Sequence, residues 1–166
     1  PETLKHLREG KIDFCVVSGP LEEYEGISAR PVRLIRDIFI AGNRFANLKG
    51  KKLPWSIVQE LPVICLEKGT SSSRNYVDTF LKEKQVMLQP EFELATSDMI
   101  VQFVLRNLGV GVVVESFAEP FIASEDVFEL DFEPKIPTRA FYVATDRNNP
   151  LSKAGQSLLA LLQDEF

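Results

Sequence analysis

LPVICLEKGTSSSRNYVDTFLKEK, residues 61–84, opens the stretch that decides the fold of this chain. The apolar run at 62–66 is too short for an independent helix and predicts a buried strand. A cluster of small hydroxyl residues follows at 70–73. Apolar residues then recur at three- and four-residue steps from Arg74 to Lys84, which predicts an amphipathic helix. The stretch therefore begins as a strand, a polar loop and a helix.

The same order recurs directly downstream. Residues 91–95 predict a second strand, Thr96–Asp98 a polar loop, and Met99–Leu108 a second helix. Gly109-Val-Gly111 is expected to end that helix, and Val112–Val114 predicts a strand buried on both faces. Alternating strands and helices with short connections are typical of an α/β fold with a parallel sheet.

Both predicted helices begin directly after a parallel strand, with hydroxyl residues at the start of each. The unpaired N–H groups and the positive end of the helix dipole lie at that edge of the sheet. Open α/β sheets bind their ligands there, and anions are favoured. The stretch therefore predicts half of a small-molecule receptor.

The composition is that of an ordinary globular protein. The 166 residues are 45% hydrophobic and 26% charged, and no apolar run approaches the roughly 18 residues that cross a membrane. The formal net charge of −5 argues against tight binding of a phosphate backbone by these residues. We therefore expect no membrane contact and no direct DNA binding.

Few residues suggest catalysis, a metal site or a cofactor. His6 is the only histidine, and a metal site or a Ser–His–Asp triad would need more partners. Cys15 and Cys65 lie inside apolar runs without CxxC spacing. We interpret them as buried free thiols, with a redox pair as the alternative, and this usage indicates a reducing compartment. No metal, cofactor or enzymatic activity is expected.

The rest of the chain predicts further strands, helical turns and a final helix. Residues 7–18 repeat the pattern of residues 105–116, a helix end, a tight turn, an apolar strand and a serine. The second copy closes a βαβαβ unit, so the first copy predicts a lobe that lacks its opening strand, helix and strand. Chance similarity of two generic units is the alternative. Strands are predicted at Ile12–Val17, 27–34, Asp37–Ala41, 128–132 and 139–144. A single helical turn is predicted at 53–60, an irregular helix broken by Pro120 at 115–123, and a final helix capped by Ser152.

These residues, in this order, resemble the effector-binding domain of LysR-type transcriptional regulators. The resemblance rests on the ordered set rather than on any one motif, and it runs over nearly the whole chain. It is carried by Leu7-x-x-Gly-x-Ile-Asp-Phe, the strand Asp37-Ile-Phe-Ile-Ala, Gly69-Thr-Ser-Ser-Ser-Arg with its helix, Gly109-Val-Gly-Val, Arg139-Ala-Phe-Tyr-Val-Ala and Pro150-Leu-Ser-Lys-Ala-Gly.

The resemblance implies an α/β fold of two lobes, similar to type 2 periplasmic binding proteins, with mostly parallel sheets flanked by helices and a ligand cleft between the lobes. Residues 1–41 and 138–166 would form the first lobe, incomplete at its N-terminus, and residues 42–137 the second. The family's helix-turn-helix is absent from this sequence. DNA would therefore be bound only through a separate N-terminal domain, and the full-length protein would be a homo-oligomer, either a dimer or a tetramer.

Hydroxyl residues at the strand ends are the candidate ligand contacts. In the family, positions in the loop that corresponds to residues 70–73 contact the effector. The alternative is a helix-capping cluster, with Ser72 or Ser73 as the cap. Ser18 matches a family position that faces the cleft, and it could equally be an ordinary turn residue. The candidate ligand-binding residues are Ser18, Thr70, Ser71, Ser72, Ser73, Thr96 and Ser97.

Charged residues near these hydroxyls affect how well each position would bind an anion. Thr96, with its neighbours, favours a helix cap over a ligand site, and Asp98 would repel an anion at that helix end. Arg74 could pair with an anionic ligand, but we expect a solvated surface arginine.

The sequence thus predicts a sensor, a cytoplasmic domain that binds a small organic anion as its effector and controls DNA binding and transcription. The alternative is a solute-binding protein of a transport system, which a secretion signal upstream would favour. A helix-turn-helix upstream would favour the regulator. A small α/β enzyme is disfavoured, because the chain has a lone histidine and no nucleophile motif.

Overall fold

Ten strands and five α-helices form the chain in the computed structural model, which describes residues 2–19, 25–69 and 71–164. Two 3₁₀-helices, Asn43–Leu48 and Trp55–Glu60, lie between the third and fifth strands. In chain order the other elements are α1 (Glu2–Arg8), β1 (Phe14–Ser18), β2 (Ile27–Ile35), β3 (Asp37–Ala41), β4 (Lys52–Leu53), β5 (Val63–Leu66), α2 (Ser72–Glu83), β6 (Pro90–Leu94), α3 (Ser97–Leu105), β7 (Val110–Val114), α4 (Glu115–Ala123), β8 (Phe128–Glu129), β9 (Asp131–Phe132), β10 (Arg139–Asp146) and α5 (Lys153–Asp164).

The chain divides into two compact units. The first combines Pro1–Ile35 with Thr138–Phe166, and the second is Arg36–Pro137.

Among the helices that the structure describes, none has the length and apolar character of a membrane span.

The first unit is built on a three-stranded sheet in the order β1-β10-β2. Both pairings are antiparallel, with Cys15 opposite Ala144 and Val143 opposite Arg30. The expectation of mostly parallel sheets is therefore wrong for this unit, because β10 enters between two strands that run in the opposite direction. Leu4 and Leu7 of α1 pack against one face of this sheet.

The second unit contains the predicted βαβαβ stretch. Its sheet has the order β6-β5-β7-β3-β8. Strand β5 pairs in parallel with β6 and with β7, while β3 runs antiparallel to β7 and β8. The parallel core is confirmed, and the sheet as a whole is mixed.

Strand β3 lies in the second unit, whereas the sequence analysis assigned Asp37–Ala41 to the first lobe. All five of its residues are buried, and its register places Ile38 opposite Val113 and Ile40 opposite Glu129. These cross-strand pairings hold β3 inside the second sheet. Arg36 alone separates it from β2.

The central strands of the second sheet, β5, β7 and β3, are buried on both faces. One face carries an aromatic cluster in which Trp55 stacks on Phe132, with ring centroids 4.3 Å apart, and meets Phe39 and Phe80 edge-on at 5.6 and 5.2 Å. Indole Nε1 of Trp55 donates to the carbonyl oxygen of Pro134 at 2.8 Å. The other face packs against α3 and α4 through aliphatic residues, chiefly Ile38, Ile40, Ile64, Ile100, Val101 and Val104.

Two predicted boundaries need correction. Residues 128–132 form two short strands, β8 and β9, in different sheets rather than one strand, although burial alternates along them as predicted. Pro120 lies inside α4 without interrupting it.

The end of α3 also differs from expectation. The helix ends at Leu105, and Asn107 takes the left-handed conformation with φ 58°, which an asparagine tolerates. Gly109 serves another purpose, since a Cβ there would lie 2.3 Å from the carbonyl oxygen of Pro62. The predicted helix stop at Gly109 is therefore wrong, and this glycine permits close backbone packing.

Candidate functional site

The N-terminus of α2 lies at the carboxyl end of β5. Ser71 is its N-cap, with extended backbone, and its Oγ accepts a hydrogen bond from the backbone N–H of Arg74 at 3.3 Å. We expected Ser72 or Ser73 to cap this helix. Both belong to the first helical turn, so only the extended residue before them can reach the N–H three positions on.

The three serines have different surroundings. The Ser73 hydroxyl donates to the carboxylate of Asp37, a buried residue at the start of β3. Ser71 is half-buried and Ser72 is exposed. Thr70, also predicted as a ligand contact, lies outside the described residues. The Ser71 oxygen is an acceptor in its capping bond, so its own hydroxyl proton remains available to a ligand oxygen.

Arg74 is buried rather than solvated, so the expectation of a surface arginine is wrong. Only 4% of the residue is exposed. Its Nε donates to both carboxylate oxygens of Asp78, at 2.9 and 3.0 Å, and its Nη1 donates to Glu93 at 2.7 Å. Nη1 also donates to the Leu66 carbonyl at 2.6 Å and lies 2.9 Å from Cys65 Sγ. Two carboxylates and a carbonyl make burial of the guanidinium tolerable.

Both cysteines are buried free thiols, as predicted. Burial raises the pKa of Cys65 to about 11 and also raises the pKa of Cys15. A thiol that stays protonated at neutral pH is a weak nucleophile. Both residues therefore act as small core residues.

The N-terminus of α3 follows β6, the strand that neighbours β5. Thr96 is the N-cap, as predicted, and its Oγ1 accepts from the backbone N–H of Met99 at 3.4 Å. Thr96 is exposed and Ser97 is half-buried. Asp98 supplies a carboxylate in the first turn of this helix. Because β5 and β6 are adjacent parallel strands, the two helix starts lie at the same edge of the sheet.

Ser18 is the last residue of β1 in the first unit, opposite Phe141 of β10. It is half-buried. The next residue, Gly19, donates its backbone N–H to the carbonyl of Ala140 at 2.7 Å, which ties down the end of this strand. The other described candidates all lie in the second unit.

A third helix start, that of α4 after β7, carries an ion-pair network which the sequence analysis missed. Arg36 donates to both oxygens of Glu115, from Nε at 2.9 Å and Nη2 at 2.5 Å. It also donates to both oxygens of Glu129, at 3.1 and 2.9 Å. The guanidinium hydrogen bond lowers the pKa of Glu115. Partners so far apart in sequence leave no local spacing that could have identified them.

The three helix starts therefore differ in charge. The first turn of α3 contains Asp98 and that of α4 contains Glu115, whereas α2 has no acidic residue in its first turn. A carboxylate already placed at a helix N-terminus competes with an anionic ligand. Of these three, the start of α2 is best suited to an external anion. In the described part of the chain, no group of three or more His, Cys, Asp or Glu residues could hold a metal ion.

Comparison with known proteins agrees with this fold. Residues 1–166 match the protein-family model described as LysR substrate binding domain. Similar solved structures include the regulatory domain of CcmR from Synechocystis PCC6803 in complex with 2-PG, with 22% identity and a TM-score of 0.80 over 99% of this chain and 78% of that one. The effector-binding domain of QuiR in complex with shikimate has 15% identity and a TM-score of 0.75 over 99% and 76% of the two chains. A reduced form of OxyR from N. meningitidis has 21% identity and a TM-score of 0.70 over 97% and 74%. No curated protein matches the chain by sequence.

Proposed function

Because the chain belongs to the family of LysR substrate-binding domains, we propose that it senses a small organic anion on behalf of a LysR-type transcriptional regulator. Binding of this effector changes how the regulator engages DNA. Such control requires that the effector bind two arrangements of the protein with different affinity.

One observation carries the choice of ligand and site. The start of α2 combines the backbone N–H groups of a first helical turn with the available hydroxyl proton of Ser71, and this turn contains no carboxylate. Backbone N–H groups and a positive helix end favour an anion. Two of the three solved structures named above hold 2-PG and shikimate, which supports a small oxygen-rich effector here as well.

The remaining predicted contacts are part of the same proposal. Ser72 and Thr70 would supply further hydroxyls at this loop, and Ser18, which belongs to the first unit, stays a proposed ligand contact. Ser73 has a lesser role, because its proton is donated to Asp37. Thr96 and Ser97 lie next to Asp98, so we expect them to contact a neutral part of the effector at most.

The regulator is further proposed to act in the cytoplasm as a homo-oligomer and to bind DNA through its helix-turn-helix domain. The net charge of −5 supports a proposal in which these residues bind the effector and another domain binds the phosphate backbone of DNA. We propose no catalytic role, since the family is a ligand-binding module of transcriptional regulators.

Calorimetric titration of the full-length regulator tests the site. The panel contains 2-PG, shikimate and a series of small carboxylates. Ser71→Asp preserves the helix cap but adds a negative charge, so it should weaken binding of the active compound at least about tenfold, by the scale of a charge-assisted hydrogen bond. Ser71→Ala with Ser72→Ala should also weaken binding.

Substitution of Ser56 and Ser157 by alanine is the matched control, because both serines are exposed and neither belongs to α2 or to the loop before it. This control should bind like the wild type. Equal affinity of the wild type and Ser71→Asp for the active compound would show that the loop is only a helix cap.

A further inference from the structure

A groove beside α2 is lined by none of the serines at the start of that helix. The groove encloses about 290 Å³. One wall is apolar and comes from the segment after α2, namely Val86, Met87 and Leu88. The rest of the lining comes from α2, with Arg74 and Lys82, and from Lys68 in the preceding loop.

The apolar wall contains an unusually exposed side chain. Met87 is 67% exposed, although it lies between Val86, which is buried, and Leu88, which is half-buried. A flexible thioether beside buried aliphatic residues can adapt to an apolar ligand. Exposed apolar surface that lines a cavity is typical of a binding site.

Arg74, which lines the groove, uses only part of its guanidinium for hydrogen bonds to the described residues. Nε and Nη1 of Arg74 make all of its side-chain hydrogen bonds within the described residues, which leaves Nη2 without an acceptor there. Across the same residues, no buried side-chain nitrogen or oxygen lacks a partner. Nη2 therefore keeps some contact with solvent, although the Arg74 side chain as a whole is only 3% exposed. Arg74 is among the residues that line the groove.

Two further cations face the groove. Lys68 and Lys82 line it, and neither forms an ion pair within the part of the chain that the structure describes. The one carboxylate in the lining belongs to Asp78, and both of its oxygens accept from Nε of Arg74. The two lysines therefore give the lining of the groove a net positive charge.

From this geometry we propose that the groove is a second small-molecule site, which binds a monocarboxylate with a short apolar chain. The carboxylate accepts from Nη2 of Arg74 and pairs with Lys68 and Lys82, while the apolar chain lies on Met87 and Leu88. At about 30 Å³ for each water-sized group, the volume holds roughly ten non-hydrogen atoms. The inference is independent of the proposed effector site, because none of its groups belongs to Ser71–Ser73.

Hexanoate is the probe, and the chain provides an internal reference. It has two methionines, Met87 in the groove and Met99 on α3, which is 43% exposed and outside the groove. With 13C-labelled methionine methyl groups, hexanoate should shift the Met87 signal in a saturable way and leave the Met99 signal unchanged. Met87→Leu assigns the two signals. Hexanamide, which has the same chain without the charge, should bind more weakly.

The lysines provide a variant that preserves the buried Arg74 cluster. Lys68→Ala with Lys82→Ala should weaken hexanoate binding at least about fivefold, on the scale of two partly exposed ion pairs. Lys51→Ala with Lys153→Ala is the matched control, since both are exposed and neither lines the groove, and it should bind as the wild type does. An unmoved Met87 signal, equal binding of hexanamide, or unchanged affinity in the Lys68 and Lys82 variant would each overturn the proposal.

Discussion

Replacement of Arg74 by methionine tests the buried ion cluster that the sequence analysis did not predict. Methionine keeps an unbranched chain of similar length and removes the guanidinium. The variant loses the hydrogen bonds to Asp78, Glu93 and the Leu66 carbonyl together. Removal of one partner from a fully buried ion pair costs about 3–5 kcal/mol, because the other charge is left without compensation.

The expected cost for Arg74→Met is smaller than about 3–5 kcal/mol, because both carboxylate partners are partly exposed to solvent. The side chain of Asp78 is 26% exposed and that of Glu93 is 42% exposed, against 3% for Arg74. Water can therefore solvate both carboxylates again once the guanidinium is gone. We expect Arg74→Met to lower the free energy of unfolding by about 2 kcal/mol, which lies between the values for buried and exposed pairs.

Urea unfolding followed by circular dichroism measures this loss. With a slope of about 1–3 kcal/mol per molar urea, the midpoint should fall by about 1 M. Arg106→Met is the matched control, because Arg106 is exposed and, among the described residues, its side chain bonds only to Gln102, so the change should stay within about 0.5 kcal/mol. If Arg74→Met were as mild as Arg106→Met, the inferred contribution of the cluster to stability would be refuted.

Three further predictions concern other parts of the chain. Gly109→Ala should cost at least about 2 kcal/mol in the same urea titration, because its Cβ would lie 2.3 Å from the Pro62 carbonyl; a variant as stable as the wild type would contradict this packing. Arg36 lowers the pKa of Glu115, so this pair's stabilisation is complete above the unfolded carboxylate pKa and is lost as the pH falls through the lowered value. The free energy of unfolding of Arg36→Met should therefore fall less between neutral and acidic pH than that of the wild type. Identical pH profiles of the two proteins would contradict a contribution of this pair to stability. Iodoacetamide should label Cys65 slowly at neutral pH and rapidly in urea, since burial raises its pKa to about 11; native labelling at the unfolded rate would disprove this.

The elements of the second unit were largely predictable because their signals are local. The apolar run at 62–66 and the apolar spacing between Arg74 and Lys84 identify β5 and α2 without knowledge of any distant residue. Ser152 was likewise predictable as a cap, and its Oγ accepts from the Gly155 N–H at 3.0 Å. Periodicity and capping depend only on neighbouring residues, so one sequence is enough.

The errors concern long-range partners. Arg74 looks like a surface arginine when only its helix is considered, because its burial depends on Glu93 in the next strand. The (i, i+4) spacing to Asp78 was the one local signal, and it predicts a pair without predicting burial. Strand β3 was assigned to the wrong lobe for the same reason, since its place depends on pairing with β7 and β8.

The candidate site was predictable in kind but not in detail. Hydroxyl residues after β5 point to an anion site, yet the sequence does not show that Ser71 rather than Ser72 is the cap, nor that Ser73 donates to Asp37. Asp37 and Ser73 lie on different elements, and only the folded sheet brings them together.

The aromatic cluster of the second unit also gives the protein a built-in optical reporter. Trp55 is the only tryptophan in the chain, it is 6% exposed, and it stacks on Phe132. Its fluorescence should therefore be emitted at short wavelength in the native protein and move to longer wavelength when this cluster opens to water. The fluorescence of Trp55 reports on unfolding of the second unit alone, whereas circular dichroism reports on the secondary structure of both units. Recording the two together in one sample would show whether the units unfold in one step or separately.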